Sequence, residues 1–307
     1  MPAADLTPRL DEVMAMGPHG LIRIAYVEWG PADSQHVVVC VHGLTRNARD
    51  FDFLARRLAQ KGVRVIAADL PGRGRSQWLT PPSDYQTPAY LAAMAAVIAR
   101  SGAAEVDWIG TSLGGHIGME MAAMPGNQIR RLILNDFGAR ISGVALQRIG
   151  SYLRNNRRFA SIEDVDLHLR SIHETFGALT DSHWRHMAEH SSVKTEEGDY
   201  RQHFDPAIGR VFSWPLMVDV ALWNVWEKVA CPVLILHGED SDLLHASTVR
   251  DMQRRGAAAK KKLVRAIVVR ECGHAPSLMT DSQMALIEDF LEPGRPAAKV
   301  VRIGGSK

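Results

Sequence analysis

Six short apolar runs punctuate this chain, at residues 37–41, 63–68, 106–109, 132–134, 233–236 and 263–269. Most are rich in β-branched residues and lack polar alternation, so each reads as a strand covered on both faces. Helical spacing fills most of the intervals, at residues 51–60, 88–100, 113–123, 247–255 and 282–291. Strand, helix and strand in succession is the grammar of a parallel sheet with crossover helices. The chain is therefore expected to form an α/β fold around a mostly parallel, doubly wound sheet. Residues 21–28 alternate apolar and polar positions more plainly and predict an antiparallel edge strand.

This rhythm stops between residues 138 and 226, which carry charged, helix-compatible stretches and four of the seven tryptophans, Trp184, Trp214, Trp223 and Trp226. A structureless loop of about 90 residues inside a domain would be exceptional, so a helical cap insertion is expected there. The implied division is a core of residues 1–137 and 227–292, a cap of residues 138–226, and a C-terminal tail of residues 293–307.

Gly110-Thr111-Ser112-Leu113-Gly114-Gly115 stands directly after one buried run and before a helical pattern. A serine on so sharp a strand-to-helix turn is strained and exposed, and glycine two residues to either side relieves collisions with neighbouring backbone. The free N–H groups of the following helix face the serine and favour developing negative charge. A serine hydroxyl needs a base, and the base needs an acid to orient it. His274, just past the last strand in Glu271-Cys272-Gly273-His274-Ala275-Pro276, is placed to be the base. Glu239, Asp240 and Asp242, after the preceding strand, are candidates for the acid, and chain order does not separate them. Asp136, after the run at 132–134, ends at the same sheet edge and is read as structural. Backbone N–H groups of Leu113 and of Leu44, in His42-Gly43-Leu44-Thr45, would complete an oxyanion hole. His42 is expected to fix that turn rather than carry protons.

Composition narrows the class further. With 46% hydrophobic residues the chain can bury a large core, and 36 basic against 34 acidic residues leave a charge of +2, too little to hold nucleic acid. Cys40, Cys231 and Cys272 are too few and too scattered for a disulfide framework. The N-terminus carries no apolar signal segment, and no run reaches the roughly 18 apolar residues of a membrane span. A cytoplasmic protein acting on a small molecule is expected, without membrane or nucleic-acid partners.

Assembled, these residues resemble the α/β-hydrolase superfamily, in its branch of capped serine esterases and meta-cleavage hydrolases. Besides the elbow, the likeness rests on His42-Gly43, on Asp69-Leu70-Pro71-Gly72-Arg73-Gly74-Arg75-Ser76 and on Gly273-His274-Ala275-Pro276. It implies a serine hydrolase that cleaves a carboxylic ester, thioester or lactone through an acyl-enzyme on Ser112, with water then activated by His274, and that uses no cofactor. Relatives carry their acid in a Ser-Asp-hydrophobic turn after the penultimate strand, so the resemblance favours Asp242. Ring-fission carbon–carbon hydrolases share the fold but carry a glycine-proline-glycine oxyanion loop, where this chain has Thr45-Arg46-Asn47-Ala48. That activity and a slow-turnover receptor on the same residues are the alternatives.

Two secondary features remain. Trp184, Trp214 and Phe212 are expected to line the acyl pocket, with Trp223 and Trp226 as further candidates. His183, His186 and His190 share one helical face, but no water-activating H-E-x-x-H accompanies them, and no metal is expected. The cluster Lys260-Lys261-Lys262 reads as a solvated turn, and Gly72-Arg73-Gly74 as a tight turn rather than a phosphate loop.

Overall fold

The structure, a computed structural model, describes residues 6–153, 157–212, 218–292 and 302–303. An antiparallel hairpin of β1 (Arg9–Gly17) and β2 (Gly20–Trp29) leads into β3 (Val37–Val41), α1 (Asp52–Ala59), β4 (Arg64–Ala68), α2 (Thr87–Ser101) and β5 (Val106–Thr111). Next come α3 (Leu113–Ala122) and β6 (Ile129–Asn135). The segment up to the next long strand holds β7 (Arg140–Ile141), α4 (Gly143–Leu153), β8 (Arg158–Phe159), α5 (Ile162–Ile172), α6 (Asp181–Ser191), β9 (Ser192–Lys194), β10 (Tyr200–Gln202), β11 (Val220–Ala221) and α7 (Trp223–Trp226). The chain closes with β12 (Val233–Gly238), α8 (Ala246–Met252), α9 (Ala257–Lys260), β13 (Val264–Val269), α10 (Asp281–Leu291) and β14 (Arg302–Ile303).

The main sheet runs β1-β2-β4-β3-β5-β6-β12-β13-β14. Pairings from β4 through β3 to β14 are parallel, while β2 is antiparallel to both β1 and β4. The unalternated runs have a simple cause. Val37, Val39 and Val41 of β3 enter one core cluster, while Val38 and Cys40 enter another on the opposite face, so every residue is buried. This is the doubly wound α/β-hydrolase architecture the sequence predicts. All three cysteines are free thiols.

Differences from expectation have physical reasons. The outermost strand is β1, whose residues are mostly exposed and carry little apolar pattern. β6 begins three residues before the apolar run because its Arg130 and Arg131 are anchored to the buried Asp107. Between β6 and β12 the chain is not purely helical: β8, β10 and β9 form a three-stranded sheet, and β11 pairs with β7. Of the expected tail, only residues 302–303 are described, and they extend the sheet beside β13. Among the described residues no helix is long and apolar enough to cross a membrane.

Candidate active site

β5 delivers Ser112 at the C-terminal edge of the sheet. Its backbone sits at φ 51°, a conformation a non-glycine residue adopts only under constraint. The constraint is steric. A Cβ on Gly110 would lie 2.2 Å from the Gly114 carbonyl oxygen, and one on Gly114 would lie 2.0 Å from that of Val41. Trp108 secures the turn by donating its indole N–H to the Gly114 carbonyl at 3.0 Å. Asn135 secures it from the next strand: its carbonyl accepts from the Ser112 N–H, and its side chain donates to Thr111 Oγ1 and to the Pro276 carbonyl. One amide thus couples the serine turn to the loop that carries the histidine.

His274 comes from the loop after β13. Its Nε2 lies 2.9 Å from Ser112 Oγ and its Nδ1 lies 2.7 Å from Asp136 Oδ2. Nδ1–H donating to the carboxylate leaves the Nε2 lone pair for the serine proton. Ser112 and His274 are therefore brought together as expected from their positions in the chain.

The carboxylate beside His274 is not the one expected: Asp136 lies there, and Asp242 does not. Asp136 directly follows β6, is fully buried, and turns at φ 52°, a conformation aspartate tolerates. It accepts the Gly238 N–H at 2.9 Å and the Ser241 hydroxyl at 2.5 Å, besides His274. Asp242 instead faces outward, its side chain 48% exposed, and forms a two-point pair with Arg148 at 2.8 and 2.9 Å. Asp240 and Glu239 are also exposed, held through backbone bonds to Cys272 and Val269. From the Ser-Asp turn it is Ser241, not Asp242, that reaches the site, steadying the carboxylate of the neighbouring strand. The sequence reading weighed Asp136 as a further candidate but took it as structural, and it did not single out Ser241 or Asn135; a lone aspartate at the end of a buried strand was the available signal.

The loop after β3 closes the other side. His42 is fully buried, with Nδ1 2.7 Å from the Gly43 carbonyl and Nε2 accepting from the Leu70 N–H at 3.0 Å. Burial holds its pKa down at about 3, so it is a neutral strut between two loops. Arg73, wholly buried from the Gly72-Arg73-Gly74 turn, donates to the Leu44 carbonyl at 2.9 Å. Among the described residues neither the Leu44 nor the Leu113 N–H has a hydrogen-bond partner. Leu113 opens α3, so its N–H lies at the positive end of that helix beside Ser112.

A cavity of about 80 Å³ opens over Ser112 and His274. Leu169, Ile172, Phe176 and Phe204 from the segment between β6 and β12 give it apolar walls. Trp184, expected there, is instead buried in a separate cluster with Phe159, Val165, Leu169 and Met187. Trp223 lies under the Arg255 guanidinium and Trp226 donates to the Arg255 carbonyl, so both pack against the core. Trp214 and the side chain of Phe212 lie outside the described residues.

The histidine face meets the core rather than solvent. Asp52, His186 and His190 place possible metal-ligating atoms within 4.8 Å of one another. Asp52 is already gripped by the Arg49 guanidinium, and His186 Nε2 bonds the Arg49 carbonyl at 2.9 Å, so two of the three have partners within the protein and α6 is tied to the start of α1. His183 belongs elsewhere, its ring accepting the Thr180 N–H.

The sheet order, the strained serine and the bridging imidazole define one class of protein, and comparison with known proteins agrees. The chain belongs to the alpha/beta hydrolase family, whose pattern it matches over residues 38–289, and it is an enzyme, a hydrolase. It is 39% identical over 292 residues to a 3-hydroxybutyrate-oligomer hydrolase of Cupriavidus necator, covering 92% of this chain and 98% of that one. Among solved structures it resembles a putative hydrolase from Rickettsia typhi, with a TM-score of 0.84 and 32% identity over 93% of this chain and 98% of that one. An α/β hydrolase from Novosphingobium aromaticivorans follows, with a TM-score of 0.80 and 31% identity over 92% and 98%.

Proposed function

We propose that this enzyme is a serine hydrolase that cleaves a carboxylic ester of a small molecule through an acyl-enzyme on Ser112. The observation that carries this reading is the single imidazole bridging Ser112 Oγ at 2.9 Å and Asp136 Oδ2 at 2.7 Å. Ser112 Oγ attacks the ester carbonyl as His274 Nε2 takes its proton, and Asp136 steadies the imidazolium. The oxyanion settles between the Leu44 and Leu113 N–H groups. His274 then gives the proton to the departing alkoxide. A water enters, loses its proton to His274, and releases the acid from Ser112.

Oligoesters of short 3-hydroxy acids are the substrate class we favour. The relative at 39% identity carries that activity in its name. Residues 138–226 act in this reading as the cap, since they supply most of the apolar cavity wall. A fluorophosphonate probe tests the nucleophile: one label per chain, at Ser112 and absent from Ser112→Ala, is expected together with turnover of p-nitrophenyl butyrate. Absence of both labelling and turnover in folded protein overturns the proposal.

A further inference from the structure

The cavity wall holds two arginines, each paired with a carboxylate that lies outside it, Arg46 with Asp50 and Arg148 with Asp242. Its described residues include neither aspartate nor glutamate. Arg46 stands two residues past Leu44, and a Cβ placed on Gly43 would lie 3.7 Å from Ser112 Cβ and 3.9 Å from Arg46 Cγ, so the arginine stem runs close to the serine. Only 5% of it is exposed. Asp50 takes two of its donors, Nε at 2.8 Å and Nη2 at 2.6 Å, leaving Nη1 without a partner among the described residues. Nη1 is not among the fully buried unpartnered side-chain atoms, so this edge of the guanidinium stays open and can donate to a ligand in the cavity. A buried orphan lies in the same wall: Ser191 is 6% exposed, and its Oγ is buried without a hydrogen-bond partner among the described residues. Gln202, also in the wall, adds an amide.

A planar guanidinium edge, a hydroxyl and an amide beside apolar walls match a short carbon chain that ends in an anion. We infer that the ester substrate carries a free carboxylate, held by Arg46 Nη1 with Ser191 Oγ as a second donor. This rests on the hydrolase reading above and deepens it. A linear hydroxy-acid oligoester has one such carboxylate, at the end of its alcohol side. A monoester of a dicarboxylic acid would carry it on the acyl side.

Two matched pairs test the inference on the wild-type enzyme: the linear dimer of 3-hydroxybutyrate against its methyl ester, and mono-p-nitrophenyl succinate against the methyl p-nitrophenyl diester. Within at least one pair the free acid should be preferred by about tenfold or more in kcat/KM, expressed mainly through KM, as a charge-assisted contact implies. Which pair responds tells on which side of the scissile bond the carboxylate lies. Arg46→Gln should bring that ratio close to one, and Arg46→Lys should restore part of it. If Arg46→Gln fails to fold, competitive inhibition of the wild type decides: 3-hydroxybutyrate should bind about tenfold more tightly than 3-hydroxybutyramide. Acid-to-ester ratios at or below one in both pairs, a ratio unmoved by Arg46→Gln, or equal inhibition by acid and amide would each overturn the inference. Turnover of the neutral methyl esters, lost in Ser112→Ala, tests the hydrolase reading separately. A carboxylate preference can therefore fail while that reading stands.

Discussion

Replacing Asp136 with asparagine should separate the two candidate acids. The carboxylate accepts from Gly238 N–H on one oxygen and from both Ser241 Oγ and His274 Nδ1 on the other. In Asp136→Asn the amide can still accept the Gly238 bond, but its NH2 group then confronts two donors. The imidazole is driven to the tautomer protonated at Nε2, which cannot take the serine proton. Related triads lose about 10⁴ in kcat from such a change, or about 5 kcal/mol of transition-state stabilisation. Asp242 contributes only a half-exposed pair with Arg148, and surface pairs of that kind are worth about 0–1 kcal/mol. Asp242→Asn should therefore alter turnover less than about fivefold. Steady-state hydrolysis of p-nitrophenyl butyrate, with circular dichroism to confirm folding, gives both numbers. If Asp136→Asn stays within about tenfold of wild type while Asp242→Asn collapses, the placement of the acid is refuted.

Two further outcomes concern stability. His42 has a folded pKa of about 3, below its ordinary 6.5, so the unfolded chain binds the proton first. Its contribution is complete above about pH 6.5 and is lost as pH falls toward 3, at about 1 kcal/mol per unit near pH 5.5. His42→Asn should flatten the pH slope of the urea-unfolding free energy by about that amount, and an unchanged slope would count against the buried neutral strut. Gly114→Ala would put a Cβ 2.0 Å from the Val41 carbonyl oxygen and 2.6 Å from its carbon, both backbone atoms with little room to yield. A loss of about 3 kcal/mol or more by chemical denaturation is expected, and a change under about 1 kcal/mol would contradict the packing.

What could be read from the sequence follows from how local each signal is. The doubly wound sheet was legible because β3, β4, β5 and β12 are buried on both faces and are therefore mostly apolar. Ser112 was legible because the turn itself demands Gly110 and Gly114, and His274 because the last long strand points to it. β1 was missed because an exposed edge strand need not alternate, and the start of β6 because Arg130 and Arg131 look like loop residues until the buried Asp107 is seen to hold them. Trp184, Trp223 and Trp226 lie away from the cavity for a different reason. An aromatic ring in an insertion serves packing as readily as a ligand, and only tertiary contacts put Trp184 among Phe159, Val165 and Met187 while giving the cavity to Leu169, Ile172 and Phe204.

That Asp136 rather than Asp242 faces His274 has its own physical logic. β6 and β12 are adjacent parallel strands, with Leu236 paired to Asn135, so their C-terminal ends lie side by side at the same edge. Neighbouring strands are only about 4.8 Å apart, and a carboxylate leaving either one can reach an imidazole held above both. A motif after β12 therefore constrains the acid only to a short stretch of sheet edge, not to one strand. What selects the strand is the support beneath the carboxylate. After β6, Asp136 finds the Gly238 N–H and the Ser241 hydroxyl already directed at it, and its own N–H bonds the Leu236 carbonyl at 2.8 Å. After β12, the acidic residues turn outward, and Asp242 meets Arg148 of α4. The loop that a family pattern assigns to the acid here serves as its cradle, so Ser241 should be as dependent on Asp136 as His274 is, although no proton passes through it.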